Sequence, residues 1–79
     1  MAVKLTLTQL AAILGEYVDL SAVDVQPGSV LGEDVPIDSQ DMLRVLARIE
    51  GRFGIRFRPY ELLQLRTVGD LLELVASKG

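Results

Sequence analysis

Asp38-Ser39-Gln40-Asp41-Met42-Leu43-Arg44-Val45-Leu46-Ala47-Arg48-Ile49-Glu50-Gly51-Arg52-Phe53-Gly54 is the stretch on which the fold turns. Met42, Leu46, Ile49 and Phe53 recur at i, i+4, i+7 and i+11, a narrow apolar stripe at helical spacing. Asp38 stands where an N-cap belongs. Asp41 adds negative charge to the first turn, where the helix dipole favours it. Gly54 follows the last stripe residue, as a helix-ending glycine does. A helix from Ser39 to Phe53 is therefore predicted. Leu43 and Val45 flank its stripe on opposite sides, so neighbours are expected on both flanks.

Toward the N-terminus, Leu7, Leu10, Ala11, Leu14 and Val18 form a second stripe, with Ile13 and Tyr17 beside it. This predicts a helix from Leu7 to Val18, capped by Thr6 or Thr8. Gly15 lowers its stability without forbidding it. Residues 19–38 carry no sustained period, and Pro27-Gly28-Ser29, Gly32 and Pro36 punctuate them. Val23, Val25, Val30, Leu31, Val35 and Ile37 are scattered through this connection, so it is expected to pack on the core as an ordered loop.

Toward the C-terminus, Ile55-Arg56-Phe57-Arg58 alternates like a short extended piece. Pro59 suits the first turn of a short helix from Tyr60 to Leu65. Thr67 with Asp70 three residues on makes a near capping box. Val68, Leu71, Leu72 and Val75 supply the stripe of a last helix. The tail Ala76-Ser77-Lys78-Gly79 is expected to fray. These elements predict an all-α fold: a small four-helix bundle of three main helices and one short one, with a long ordered loop between the first two. The alternation at Val23-Val25 and Ile55-Phe57 leaves an α+β arrangement as the alternative.

Composition narrows the function. The chain has 79 residues and no Cys or His. Disulfides, thiolate metal sites, Cys nucleophiles, His-based triads and most zinc sites are thereby excluded. No apolar run approaches the ~20 residues that span a bilayer, and Met1-Ala2-Val3-Lys4 does not open a long apolar leader. A cytoplasmic protein that does not insert into membranes is expected. The net charge of −3 argues against nucleic acid. That charge is uneven. Residues 1–41 carry one base against seven acids, net −6, and residues 42–79 carry seven bases against four acids, net +3. Either a charged docking surface or pairing between the halves accounts for this.

Hydroxyls remain as sites for attachment. Ser39 opens the best-defined helix directly after an Asp, where unpaired N–H groups and the positive dipole end suit an attached phosphate. With no His or Cys to activate it, Ser39 is better suited to modification by another enzyme than to hydrolysis. On residue chemistry alone, Asp38-Ser39 also reads as a plain N-cap pair.

Asp38-Ser39-Gln40-Asp41-Met42-Leu43, the long loop before it and Ile49-Glu50-Gly51-Arg52-Phe53-Gly54-Ile55 after it resemble the acyl carrier protein family. Phe53 lies fourteen residues after Ser39, the family's usual offset. Thr67-Val68-Gly69-Asp70-Leu71-Leu72 resembles the family's entry into its last helix, and Pro59-Tyr60-Glu61-Leu62 sits where its short third helix begins. The resemblance covers nearly the whole chain and implies a single carrier domain over residues 1–79, a free-standing monomer that is not itself an enzyme.

It further implies that Ser39 receives 4'-phosphopantetheine from coenzyme A through a phosphopantetheinyl transferase with magnesium. Asp38 would position the magnesium and the transferase. The arm's thiol would carry an acyl group as a thioester to acyl-loading and acyl-processing enzymes. Met42, Leu46, Leu62, Leu63, Val68 and Leu72 are the expected lining of an acyl chain, each with ordinary core packing as its other role. Gln40, Asp41, Arg44, Ala47, Arg48, Glu50 and Gly51 are the expected partner-binding face.

Three departures stand out. Gln40 replaces the family's usual Leu after the Ser, and Pro36-Ile37 precede Asp38 where many members have Gly. The family's second helix is commonly acidic and docks on basic enzyme patches, whereas Arg44, Arg48 and Arg52 form a basic i, i+4, i+8 row here. That row is either a docking face for a specialised partner or a solvated face paired with Asp41 and Glu50. A specialised fatty acid, lipid or polyketide pathway is expected. The alternative is a carrier-like interaction module whose Ser39 stays unmodified.

Overall fold

A computed structural model describes residues 4–78. Four helices follow in order: α1 (Leu7–Leu14), α2 (Ser39–Phe53), α3 (Pro59–Leu62) and α4 (Val68–Ser77). The fold is a small all-α bundle in which α1 packs against both α2 and α4. Among the described residues there is no strand. The connection makes two isolated bridges, Val30 with Thr67 and Leu31 with Val35. The α+β alternative is thereby set aside, and Val23-Val25 and Ile55-Phe57 run as irregular chain.

The helix starts follow side-chain chemistry. Asp38 accepts the Asp41 N–H at 2.7 Å. Thr67 and Asp70 cap each other reciprocally, at 3.1 and 3.0 Å, and Thr6 and Gln9 do the same for α1. Gly54 ends α2 in the left-handed conformation, φ 67°, with its N–H on the Glu50 carbonyl.

Three boundaries differ from the sequence reading. α1 ends at Leu14, after which the Glu16 and Tyr17 amides reach only three residues back and tighten the chain. Tyr17 and Val18 still pack on the core, so the stripe outlives the helix. α3 is a single turn, extended to Leu65 by tight turns. Ala76 and Ser77 remain helical instead of fraying, and Lys78 is anchored, as described below. Met1, Ala2, Val3 and Gly79 lie outside the described residues.

One core cluster joins Leu10, Ile13 and Leu14 of α1, Val45, Leu46 and Ile49 of α2, and Val68, Leu71 and Val75 of α4. Leu5, Val35 and Ile37 complete it from outside the helices. Leu5 immediately precedes the Thr6 cap and Leu10 lies at the fourth helical position, the spacing of a hydrophobic staple.

The long connection is ordered because its backbone caps α4. The first two amides of that helix have no carbonyl of their own to bond. Val68 N–H donates to the Ser29 carbonyl at 2.9 Å and Gly69 N–H to the Pro27 carbonyl at 2.7 Å. A Cβ at position 69 would sit 2.9 Å from that same Pro27 oxygen, so the approach requires glycine. Asp34 folds the loop on itself by accepting the Val30 N–H at 2.8 Å, and Gly32 takes φ 91° in the turn that returns the chain toward Asp38. Ser29 is buried, and its hydroxyl accepts the Gln26 N–H.

Candidate functional site at the start of α2

Ser39 is the first residue of α2 and is exposed. Asp38 holds the preceding turn by capping, which presents the Ser39 side chain at the mouth of an apolar groove of about 360 Å³. Met42, Leu43 and Leu46 of α2 form one wall. Leu62 and Leu65, from α3 and the turn after it, face them, and Leu31 and Ile37 of the long connection close the end. Beyond Asp38 and Ser39, every lining residue is apolar. The helix N-terminus suits a phosphate linkage and the groove suits a hydrocarbon chain, so the residues present fit a phosphopantetheine arm bearing an acyl group.

The groove brings together Met42, Leu46 and Leu62 of the expected lining. It also uses Leu31, Ile37, Leu43 and Leu65, which the sequence reading did not assign to it. A signal existed for some of these: Ile37 abuts Asp38-Ser39, Leu43 is one turn beyond Ser39, and Leu65 is three residues after Leu62. Leu63 is corrected. It is 88% exposed, because a one-turn helix that directs Leu62 inward turns its next residue about 100° away. Val68 is fully buried in the core under the loop, and Leu72 packs half-buried against that core, so neither lines the groove.

The two walls are held differently. The α2 wall is backed by Val45 and Ile49, both fully buried. α3 has no buried residue and depends on polar ties. The Lys78 ammonium donates to both Glu61 carboxylate oxygens, at 2.7 and 2.9 Å, with both side chains only 15% exposed. Glu61 also accepts the Arg58 N–H at 2.7 Å. The Lys78 bond, then the Arg58 amide, hold the Glu61 carboxyl below the ordinary carboxylate range. The amides of Thr67 and Arg66 do the same for Asp70.

On the outer face of α2, Gln40, Arg44, Ala47, Arg48 and Gly51 are exposed and Asp41 is half-buried. Arg44 pairs with Asp41 at 2.7 Å, and Arg48 with Glu16, beyond the end of α1, at 3.4 Å. Arg52 lies over the Phe53 ring at 5.6 Å. Glu50 pairs with none of them. It accepts the Phe57 N–H at 2.8 Å and so ties the segment after α2 to the helix. Two ion pairs, Arg44 with Asp41 and Arg48 with Glu16, thus join the acidic first half of the chain to the basic second half, while both arginines stay more than half exposed.

Residues 7–75 match the family model described as the phosphopantetheine attachment site. The chain is 37% identical to an acyl carrier protein of Acidothermus cellulolyticus, over 90% of this chain and 84% of that one. It is 30% identical to a meromycolate extension acyl carrier protein of Mycolicibacterium aurum, over 84% of this chain and 68% of that one. The octanoyl acyl carrier protein of the actinorhodin polyketide synthase in Streptomyces coelicolor superposes with a TM-score of 0.81 at 26% identity, covering 98% of this chain and 93% of its own. The chain belongs to the acyl carrier protein family. Its prosthetic group is 4'-phosphopantetheine, and its role is that of a carrier of acyl groups. No described helix is long and apolar enough to cross a membrane.

Proposed function

We propose that Ser39 is the attachment point of the 4'-phosphopantetheine arm, and that this single cytoplasmic domain serves a specialised fatty acid, lipid or polyketide pathway without catalysing a reaction itself. One observation carries the proposal: an exposed serine hydroxyl at a capped helix N-terminus, on the lip of an apolar groove. A phosphopantetheinyl transferase supplies the base and magnesium for the attachment. Asp38 fixes the turn that offers the Ser39 Oγ and adds a carboxylate beside it for the metal. Once attached, the arm supplies the thiol that this chain lacks, and with it the thioester chemistry.

Met42, Leu46 and Leu62, with Leu43 and Leu65, shelter the apolar end of a carried chain. The names of relatives from meromycolate extension and from a polyketide synthase support a dedicated pathway for this chain.

Intact-mass spectrometry tests the site. The protein and its Ser39→Ala variant are incubated with coenzyme A, magnesium and a broad-specificity transferase. A gain of one phosphopantetheine by the wild type alone is expected. The variant should stay folded, losing at most about 1 kcal/mol of support at the helix start. Labelling of the variant would move the site elsewhere.

A further inference from the structure

We propose that the outer face of α2 docks on an acidic protein surface, whose carboxylates meet Arg44, Arg48 and Arg52. This rests on the carrier reading, since a group tethered at Ser39 reaches an enzyme's active site only if the surface beside Ser39 meets that enzyme. With a rise of 1.5 Å per residue, the three arginines stand about 7.5, 13.5 and 19.5 Å along the axis from Ser39. They share one side of the helix, away from the core stripe.

The row is basic within an acidic chain. The net charge is −3, yet α2 carries three arginines against Asp41 and Glu50, and Glu50 is turned to the Phe57 amide. The present partners of the row hold it loosely. Arg44 and Arg48 remain 61% and 55% exposed while paired with Asp41 and Glu16, and exposed pairs of this kind contribute little to a fold. A facing carboxylate that excludes water gains more from a guanidinium fork than Asp41 or Glu16 does in solvent.

Leu43, 59% exposed on the groove lip, supplies an apolar contact next to the row. Ala47 and Gly51 leave the middle of the face low, so a partner backbone can come close. An enzyme surface fits better than a polyanion. The exposed acids Glu33 and Asp34 of the long connection, with the net negative charge, repel an extended anionic surface, while a local acidic patch meets only the row.

The test uses one acyl-processing enzyme that accepts acidic carriers, in two forms: the natural enzyme with a basic carrier-docking patch, and the same enzyme with those bases replaced by glutamate. Dissociation constants are measured for the apo and holo carrier at low and high salt. The carrier should bind the acidic form about tenfold more tightly, and the preference should shrink at high salt. Arg44→Glu, Arg48→Glu and Arg52→Glu together should reverse it, with circular dichroism confirming the fold. Arg44→Glu alone should narrow it and serves if the triple variant fails to fold.

Equal binding of both forms, tighter binding of the basic form, or no response to the substitutions would overturn the docking proposal. So would arginine-dependent binding to phosphatidylglycerol vesicles or duplex DNA that exceeds binding to the acidic form. The carrier reading fails separately, by absence of transferase labelling at Ser39, and the apo measurement reads the charge preference whether or not that labelling occurs.

Discussion

The two walls of the groove are built by different physics. The α2 wall belongs to the core: Leu46 lines the groove while its neighbours Val45 and Ile49 are sealed within the bundle. The α3 wall is one turn of helix with no buried residue, placed by a proline start, a carboxylate cap and an ion pair to the end of α4. Apolar burial is cooperative and global, whereas a single ion pair between two side chains is local. One wall is therefore expected to hold as long as the protein is folded. The other is expected to loosen on its own when Glu61 parts from Lys78.

The largest effect should come from damaging the core-backed wall. Ile49→Ala removes a side chain with no solvent exposure and leaves a cavity among α1, α2 and α4. Substitutions of this type cost about 2–5 kcal/mol, a large share of the ~5–15 kcal/mol that holds a small domain together. The midpoint of thermal unfolding should fall by more than about 10 °C. Leu62→Ala on the facing wall should cost distinctly less, because Leu62 is only half-buried. Equal losses would mean that α3 belongs to the same cooperative unit as α2.

A second comparison concerns two helical glycines. Gly69→Ala would drive a Cβ to 2.9 Å from the Pro27 carbonyl that its own amide bonds, while Gly51→Ala meets nothing within 4 Å. Helix propensity favours alanine at both by about 1 kcal/mol. At position 69 the crowding must exceed that gain, as overpacking costs about 1–3 kcal/mol, so a net loss of roughly 1 kcal/mol is expected. At position 51 the gain should appear unopposed. Urea denaturation of the two variants decides it, and a stabilised Gly69→Ala would show that the loop yields freely.

The same contrast explains what could be read from the sequence. α2 was legible from end to end because periodicity, the Asp38 cap and the Gly54 stop all agree, and the candidate site begins at its first residue. The start of the last helix was legible from Thr67 and Asp70, but its end was not, because no stop residue directly follows the stripe and Lys78 is held by Glu61 from another part of the chain. α3 was harder: Pro59 announces its start, but no apolar period is long enough to orient one turn, so Leu62 and Leu63 looked alike until their facing was seen. The loop's place was illegible because backbone carbonyls at Pro27 and Ser29 make the decisive bonds, and carbonyls carry no side-chain signature. Gly69 was the one letter that marked this approach, and a helical glycine by itself does not say what it makes room for. Glu50 misled in another way. Its position in the second helix matches a docking residue, while its carboxylate is spent on the Phe57 amide seven residues on.

The smallest effect should come from the tie that holds the α3 wall. Glu61→Gln removes the charge that Lys78 pairs with but keeps an oxygen able to accept the Arg58 N–H, so it separates latch from cap. The loss of global stability should be smaller than that of Gly69→Ala, since α3 contributes no buried residue. The pH dependence fixes the sign. Glu61 and Asp70 both have carboxyls lowered by folding, so the unfolded chain takes up protons first as the pH falls. Their stabilisation is complete above the ordinary carboxylate values of about 4, and is lost as pH drops through the lower folded values. Urea titrations from neutral pH to below pH 3 should therefore show stability falling with acid in the wild type. In Glu61→Gln the fall should be shallower, with the part owed to Asp70 intact. Hydrogen exchange at neutral pH gives the local readout: amides from Arg58 to Leu65 should exchange faster in the variant while those from Val45 to Ile49 keep their protection. Faster exchange in both walls, in equal measure, would show that the ion pair belongs to the core's cooperative unit and that the groove has no independently movable side.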